Sequence, residues 1–149
     1  MRKYEKKNLK LIGKNYEDLN VISAYLQDSV LTLKDILFLK KSRTFIMFVN
    51  RFMWEDVEKG VFRKNKRIRC AIRFDEVLNV KSKSINQKNK KKPYELLTIK
   101  SKLTLEDDYE IKICFAGIGI ITVISEVIQV FMQDIGESWP AKYTPEHKI

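Results

Sequence analysis

The residues best suited to chemistry are basic side chains that recur at every second position of strand-like segments. Seven of them fall on such faces: Arg67, Arg69, Arg73, Lys81, Lys83, Lys100 and Lys102. Side chains two residues apart on a strand point to the same side. Clustered Arg and Lys can neutralise phosphates or carboxylates in a salt-dependent way. We therefore predict one basic, anion-binding or partner-binding surface, provided that these strands are neighbours.

The positive charge is concentrated in one part of the sequence. Residues 59–102 contain 15 basic and 3 acidic side chains, a net charge of +12 in a chain whose total is +10. This segment favours an acidic partner protein or a nucleic acid. Few aromatic residues occupy the outward positions, so base stacking is poorly supported. Two alternatives stay open, a solvated lysine-coated sheet face and a composition rich in Lys, Ile and Asn that reflects an AT-rich genome.

A second group of polar residues interrupts an apolar segment. Arg51 could hold an anion with its planar fork, and Trp54 could stack on a ligand. The resulting small-ligand or enzyme site would comprise Gln27, Asp28, Asn50, Arg51 and Trp54. A structural interpretation is favoured over it. In that interpretation Asn50 lies at a β-bulge and Arg51 pairs with Asp28 or Glu55.

Catalytic signatures are scarce. The single histidine, His147, stands near the end of the sequence, so neither a histidine metal cluster nor a Ser-His-Asp arrangement is favoured. Cys70 and Cys114 occupy inward positions of alternating segments, typical of buried thiols, with a disulfide as the alternative. The Gly117-x-Gly119 pair alone does not make a nucleotide-binding loop. We expect a non-catalytic protein without cofactor or metal.

The elements that position these residues are mostly strands. An amphipathic helix is predicted over residues 16–29, from its apolar spacing and a capping asparagine, Asn15. A polar connection is predicted over 55–65 and a lysine-rich loop over 86–93. Alternating patterns predict strands over residues 9–12, 36–40, 44–54, 67–74, 77–85, 97–105, 109–116 and 120–124.

Residues 113–132 form the most apolar part of the chain. Gly117–Gly119 predicts a hairpin turn, and Ser125 predicts the start of a C-terminal helix over 125–135. Gly136 would end that helix. A turn and a helix cap inside the stretch argue against a membrane span.

Strands with an early and a final helix predict one α+β domain over residues 1–149, with 140–149 as a tail. This order of strands and helices resembles that of a pleckstrin-homology-like barrel, in which a strongly bent antiparallel sheet is closed by its last helix. An open antiparallel sheet flanked by two helices is the alternative. We recognise no signal peptide in the sequence and expect a cytoplasmic protein.

Several segments occur in an order that resembles a known family. They are "DLNVISAYLQDSV", "FVNRFMWE", "IRFDEVLNVKSKSI", "ELLTI", "FAGIGIITVISEVIQVFMQDIG" and "PEH". Together they are similar to the DUF2948 family, an uncharacterised alphaproteobacterial family. The resemblance implies a small cytoplasmic bacterial protein and carries no assigned activity.

Overall fold

The computed structural model describes residues 8–55 and 65–141, which contain ten strands and the α-helix α1 (Tyr16–Leu26). Two short 3-10 turns, Leu33–Asp35 and Lys40–Ser42, flank the third strand. The strands are β1 (Lys10–Gly13), β2 (Val30–Leu31), β3 (Ile36–Leu39), β4 (Thr44–Phe52), β5 (Lys66–Phe74), β6 (Val77–Lys83), β7 (Tyr94–Leu103), β8 (Tyr109–Phe115), β9 (Ile120–Ser125) and β10 (Val130–Pro140).

All described strand pairings are antiparallel, in the order β1-β10-β5-β4-β2-β7-β8-β9-β6, with β3 added beside β4. The short strand β2 links two halves, because Val30 lies opposite both Asn50 of β4 and Glu95 of β7. One half holds β1, β10, β5, β4 and β3, and the other holds β7, β8, β9 and β6. We call the second half the lysine sheet.

The two halves share one apolar core. On β4, Phe45, Met47 and Val49 are buried at alternate positions, as a half-buried strand requires. They cluster with inward residues of the lysine sheet such as Ile113 and Val123. The helix contributes Leu19, Ile22 and Leu26 to the same cluster.

The helix also covers a sheet edge. Asn15 caps it as predicted, since the Asn15 side chain accepts a hydrogen bond from the Asp18 N–H at 2.8 Å. The Ser23 hydroxyl accepts a bond from the Ile99 N–H of β7 at 2.9 Å. The helix ends before the predicted residue 29, because Asp28 adopts a positive φ of 63° and its N–H bonds to the Leu96 carbonyl.

The predicted C-terminal helix over residues 125–135 is wrong. Val130, Met132 and Asp134 are buried at alternate positions of β10, which pairs with β5 and β1. The apolar residues of this segment satisfied a helical period as well as a strand period, and the long-range pairing decided the outcome. Gly136 does need a positive φ, 73°, but within the bulge of β10 between Ile135 and Trp139.

The other expectations have mixed outcomes. The α+β class, the antiparallel sheet and the hairpin at Gly117, whose φ is 90°, are confirmed. The described sheet is open, with β1 and β6 at its ends, so the pleckstrin-homology-like barrel is not confirmed. None of the described helices has the length and apolarity to cross a membrane. Most of the predicted 55–65 connection and of the 140–149 tail lies outside the described residues, and the single-domain prediction stays a prediction.

Candidate functional site

The arginines of β5 are engaged by the protein itself. The Arg67 Nη1 atom donates to the main-chain carbonyls of Asp28 and Asn50, both at 3.1 Å. Arg69 forms an ion pair with Asp35 at 2.6 Å and donates to the Asn50 side-chain oxygen at 3.1 Å. These bonds tie β5 to β4 and to the segment that follows α1.

Arg73, the third arginine of this face, is more exposed but also has partners. Its Nε atom donates to Asp75 at 3.0 Å, and its guanidinium lies 4.4 Å from the Phe131 ring centre. Such a stacked position stabilises a cation by about 0.5–1 kcal/mol at an exposed site. All three predicted β5 residues therefore contribute contacts within the fold.

Asp35 shows the electrostatic effect of this arrangement. Partial burial alone would raise the pKa of its carboxyl, but hydrogen bonds from Arg69 and from the Thr32 main chain lower that pKa below its ordinary value. Thr32 and Asp35 also form a capping box on the 3-10 turn. The Arg69 pair therefore holds a charged carboxylate in place beside the sheet.

The predicted pocket residue Arg51 is the largest fully buried side chain, at 0% exposure. Its guanidinium makes two bonds to the Asp134 carboxylate, at 2.7 and 2.6 Å, and two to Glu55, at 2.9 and 2.7 Å. The ring of Tyr25 on α1 lies 5.7 Å away. We call Arg51, Asp134 and Glu55 the buried ion cluster.

Strand alternation explains why this cluster is inside. Arg51 continues the inward set of β4, and Asp134 belongs to the inward set of β10, opposite Cys70. Burial alone would lower the pKa of Arg51, but the hydrogen bonds that it donates to Asp134 and Glu55 raise it above its ordinary value. Burial, followed by the Asp134 charge, raises the pKa of the Cys70 thiol.

The structural interpretation of Arg51 is partly confirmed. Glu55 was predicted as a partner and is one, whereas Asp134 was missed because its segment was assigned to a helix. With the period of two of a strand, Asp134 falls on the same inward face as Val130 and Met132. This alternation could have identified Asp134 as a buried residue. Asn50 lies in regular register opposite Arg69, so the predicted bulge is wrong.

Trp54 and Gln27 meet on the same side of the fold. The Trp54 indole N–H donates to the Gln27 main-chain carbonyl at 2.8 Å, and its ring packs edge-on against Phe52 at 4.6 Å. The structure thus brings the five alternative-pocket residues into one region. There the main-chain carbonyls of Gln27 and Asp28 and the side chains of Asn50, Arg51 and Trp54 form hydrogen bonds within the protein. A small-ligand site there stays a prediction.

The lysines form a different arrangement on the outer face of the lysine sheet. Lys100 of β7 lies directly opposite Lys112 of β8, Lys112 opposite Thr122 of β9, and Thr122 opposite Lys81 of β6. This row crosses all four strands. Directly opposed residues share a face, so the three lysines point to the same side. Lys81 and Lys100 are exposed, and Lys112 is half-buried.

The same face carries two more predicted lysines. Lys102 lies opposite Glu110, whose carboxylate is 3.7 Å from the Lys102 amine and 3.3 Å from that of Lys112. Both ion pairs are partly exposed, so each contributes at most about 1 kcal/mol. Lys83 lies opposite Ile120, at the end of β6. The lysines of the 86–93 loop that follows β6 are exposed.

A shallow hollow of about 490 Å³ adjoins Lys83 at the β8–β9 hairpin. Its apolar lining includes Leu97, 44% exposed, and Ile118, 78% exposed. Ile120 and Cys114 line it as well. The outer face therefore combines lysines with an apolar recess.

The structure does not place all seven predicted basic residues on neighbouring strands. The described partners of β5 are β4 and β10, so its arginines belong to the other half of the fold. β6 and β7 are separated by β8 and β9. Lys112 on β8 links their lysines and was missed, although it occupies an outward position in the alternation of Tyr109–Phe115. Within the described residues, no three His, Cys, Asp or Glu side chains gather as a metal site requires.

Comparison with known proteins places the chain in a family. The model of the family described as "Protein of unknown function (DUF2948)" matches residues 9–147, nearly the whole chain. No curated protein and no solved structure matches. The chain belongs to the DUF2948 family.

Proposed function

We propose that the chain is a non-catalytic binding module that takes an acidic partner protein on the outer face of the lysine sheet. The observation that carries this proposal is the cross-strand row of Lys100, Lys112 and Lys81. Both cysteines are free thiols, which suits a reducing compartment such as the cytoplasm.

The lysine row supports a binding role because its like charges destabilise the isolated fold. Like charges directly opposite each other on antiparallel strands are destabilising. Lys100 and Lys112 are such a pair, and Glu110 compensates one side of it. An acidic partner would turn this repulsion into attraction and would speed association at low ionic strength.

The neighbouring apolar surface favours a protein over a nucleic acid. Leu97 and Ile118 border a recess next to Lys83, and an apolar side chain of a partner could fill it. Stacking of bases needs exposed aromatic rings, and the lysine row contains none. A phosphate backbone would use the lysines and leave the recess empty.

Binding assays with defined probes test the proposal. Fluorescence anisotropy of the full chain would be measured with an acidic Glu-Leu peptide, with polyglutamate and with a short DNA duplex, at low and at physiological salt. We expect the Glu-Leu peptide to bind most tightly and all three complexes to weaken with salt. The variant Lys81→Glu/Lys100→Glu/Lys112→Glu should lose at least about tenfold in peptide affinity.

The matched control changes the same net charge elsewhere. Lys14, Lys40 and Lys41 are exposed and lie outside the lysine sheet, so their replacement by Glu should change affinity much less. Equal losses in both variants would mean that only net charge matters and would overturn the proposal. Tighter binding of the duplex than of the peptide would overturn it in favour of a nucleic acid.

A further inference from the structure

A second cavity, of about 370 Å³, lies between the two halves of the fold. It is bordered by β3 on one side and by β6 on the other. The described pairing of β3 is with β4 and that of β6 is with β9, so no described strand bridges β3 and β6. The volume falls in the range of small-molecule sites, roughly 300–1,000 Å³.

The interior of this cleft is apolar. Phe45 and Ile121, both buried core residues, form part of its lining, and the half-buried Ile36, Phe38 and Val80 line it as well. An apolar cavity of roughly 150 Å³ is enough to bind benzene. A ligand with an alkyl or aryl body would cover this surface and gain the free energy of removing apolar area from water.

Polar and cationic groups also line the cleft. Lys81 and Lys90 are both exposed and line it, and no Asp or Glu is among its described lining residues. Neither lysine forms an ion pair with a carboxylate in the described residues. The Gln87 amide donates to the Ser82 hydroxyl at 2.8 Å, which holds the loop after β6 against that strand.

An apolar interior with two cations that no described carboxylate pairs selects for a particular chemistry. An apolar body alone would leave the ammonium groups without a partner, and a small polar anion would leave the apolar walls exposed to water. We propose that this cleft binds a small apolar anion, namely a carboxylate with an alkyl or aryl body. The body lies between β3 and β6, and the carboxylate meets Lys81 and Lys90.

The site can be tested separately from the proposed protein partner. Lys81 belongs to both, because β6 is the last strand of the described sheet and Lys81 borders the outer face as well as the cleft, whereas Lys100 and Lys112 do not line the cleft. Loss of Lys100 and Lys112 therefore should not affect the ligand. Each proposal can fail while the other stands.

A titration of the isotope-labelled full chain with octanoate, followed by NMR, tests the inference. We expect saturable shifts in the methyl groups of Ile36, Val80, Ile85 and Ile121, and none at the outer recess around Ile118. Octylamine, which has the same body and the opposite charge, should bind at least about tenfold more weakly. Octanoate binding should not depend on protein concentration.

Two kinds of variant distinguish the contribution of the lysine charges to octanoate binding from that of the apolar cavity. Lys81→Gln/Lys90→Gln should weaken octanoate binding about tenfold, whereas Lys100→Gln/Lys112→Gln should leave it unchanged. Ile85→Phe, which fills the cleft with a larger side chain, should abolish binding while a thermal melt shows that the protein still folds. If that variant unfolds, the lysine variants and the octylamine comparison decide the outcome alone.

Three results would overturn the inference. They are equal affinity for octanoate and octylamine, shifts confined to the outer face, and shifts that follow protein concentration. The last of these would show instead that a second copy of the chain occupies the cleft.

Discussion

The two halves of the fold use positive charge in opposite ways. On β5 every predicted arginine bonds to another group of the protein, and Arg51 on β4 is buried among carboxylates. On the lysine sheet, Lys81 and Lys100 are exposed and have no carboxylate partner within the described residues. The basic segment of residues 59–102 is thus divided into arginines that bond within the fold and lysines that are exposed to a partner.

The chemistry of the two side chains explains this division. The planar guanidinium of arginine has five donors and loses water more easily than an ammonium group, so it suits buried, bidentate pairs. Lysine carries a strongly hydrated point charge on a flexible stem, and it stays in water. The division between arginine and lysine therefore indicates which cations stabilise the fold and which remain free for a partner.

The largest expected effect comes from the buried ion cluster. Replacing Arg51 by Met leaves the buried Asp134 carboxylate without its cation, and breaking such a pair destabilises a protein by about 3–5 kcal/mol. Urea denaturation of Arg51→Met should show this loss in the free energy of unfolding.

A double variant checks the reason for the loss. In Arg51→Met/Asp134→Leu no uncompensated carboxylate remains at position 134, so most of the stability should return. Arg73→Gln serves as the exposed control and should cost about 1 kcal/mol or less. A small effect of Arg51→Met would show that the cluster does not stabilise the fold and would remove the contrast between the two halves.

Much of the fold could be predicted because its strands alternate cleanly. In β5 and β8 the apolar residues recur at a period of two, which only a strand satisfies. The glycines at the hairpin likewise indicate a turn and no other element. The segment that became β10 has apolar residues at both helical and strand spacing, and only its pairing with β5 distinguishes the two. Sequence patterns carry no information on such a distant pairing.

The candidate site was predicted less completely for a related reason. Individual lysine faces could be read from each strand, but their order across the sheet could not. Lys112 belongs to the lysine row because β8 lies between β7 and β9. Arg69 does not belong to it because β5 lies between β4 and β10. Strand order depends on long-range contacts, which also decide that Asp134 reaches Arg51.

The two cysteines offer a smaller, pH-dependent contrast between the halves. Burial raises the pKa of Cys70, beside the ion cluster, so the folded chain keeps this proton at a pH where the unfolded chain has lost it. This contribution to stability is complete below the unfolded pKa of about 8.5. It falls as the pH rises above that value, by at most about 1.4 kcal/mol per pH unit.

The measurement is the alkaline slope of the free energy of unfolding, compared between the native chain and Cys70→Ala. We expect the slope to become shallower in the variant. Cys114 is half-buried, and iodoacetamide should alkylate it in the folded protein well before Cys70. Faster alkylation of Cys70 would show that the region around the ion cluster opens readily.

The smallest expected change in stability tests the lysine sheet. Lys100→Glu places a carboxylate opposite Lys112 and should stabilise the fold by about 0.2–1 kcal/mol, because it replaces a like-charge pair by an opposite-charge pair. The same change should weaken binding of the acidic Glu-Leu peptide. Arg69→Glu reverses the charge on the other half and should destabilise, because the new carboxylate faces Asp35. If Lys100→Glu left the peptide affinity unchanged, the lysine row would be a solvated surface with no role in binding. The contrast between arginines that stabilise the fold and lysines that bind a partner would then be wrong.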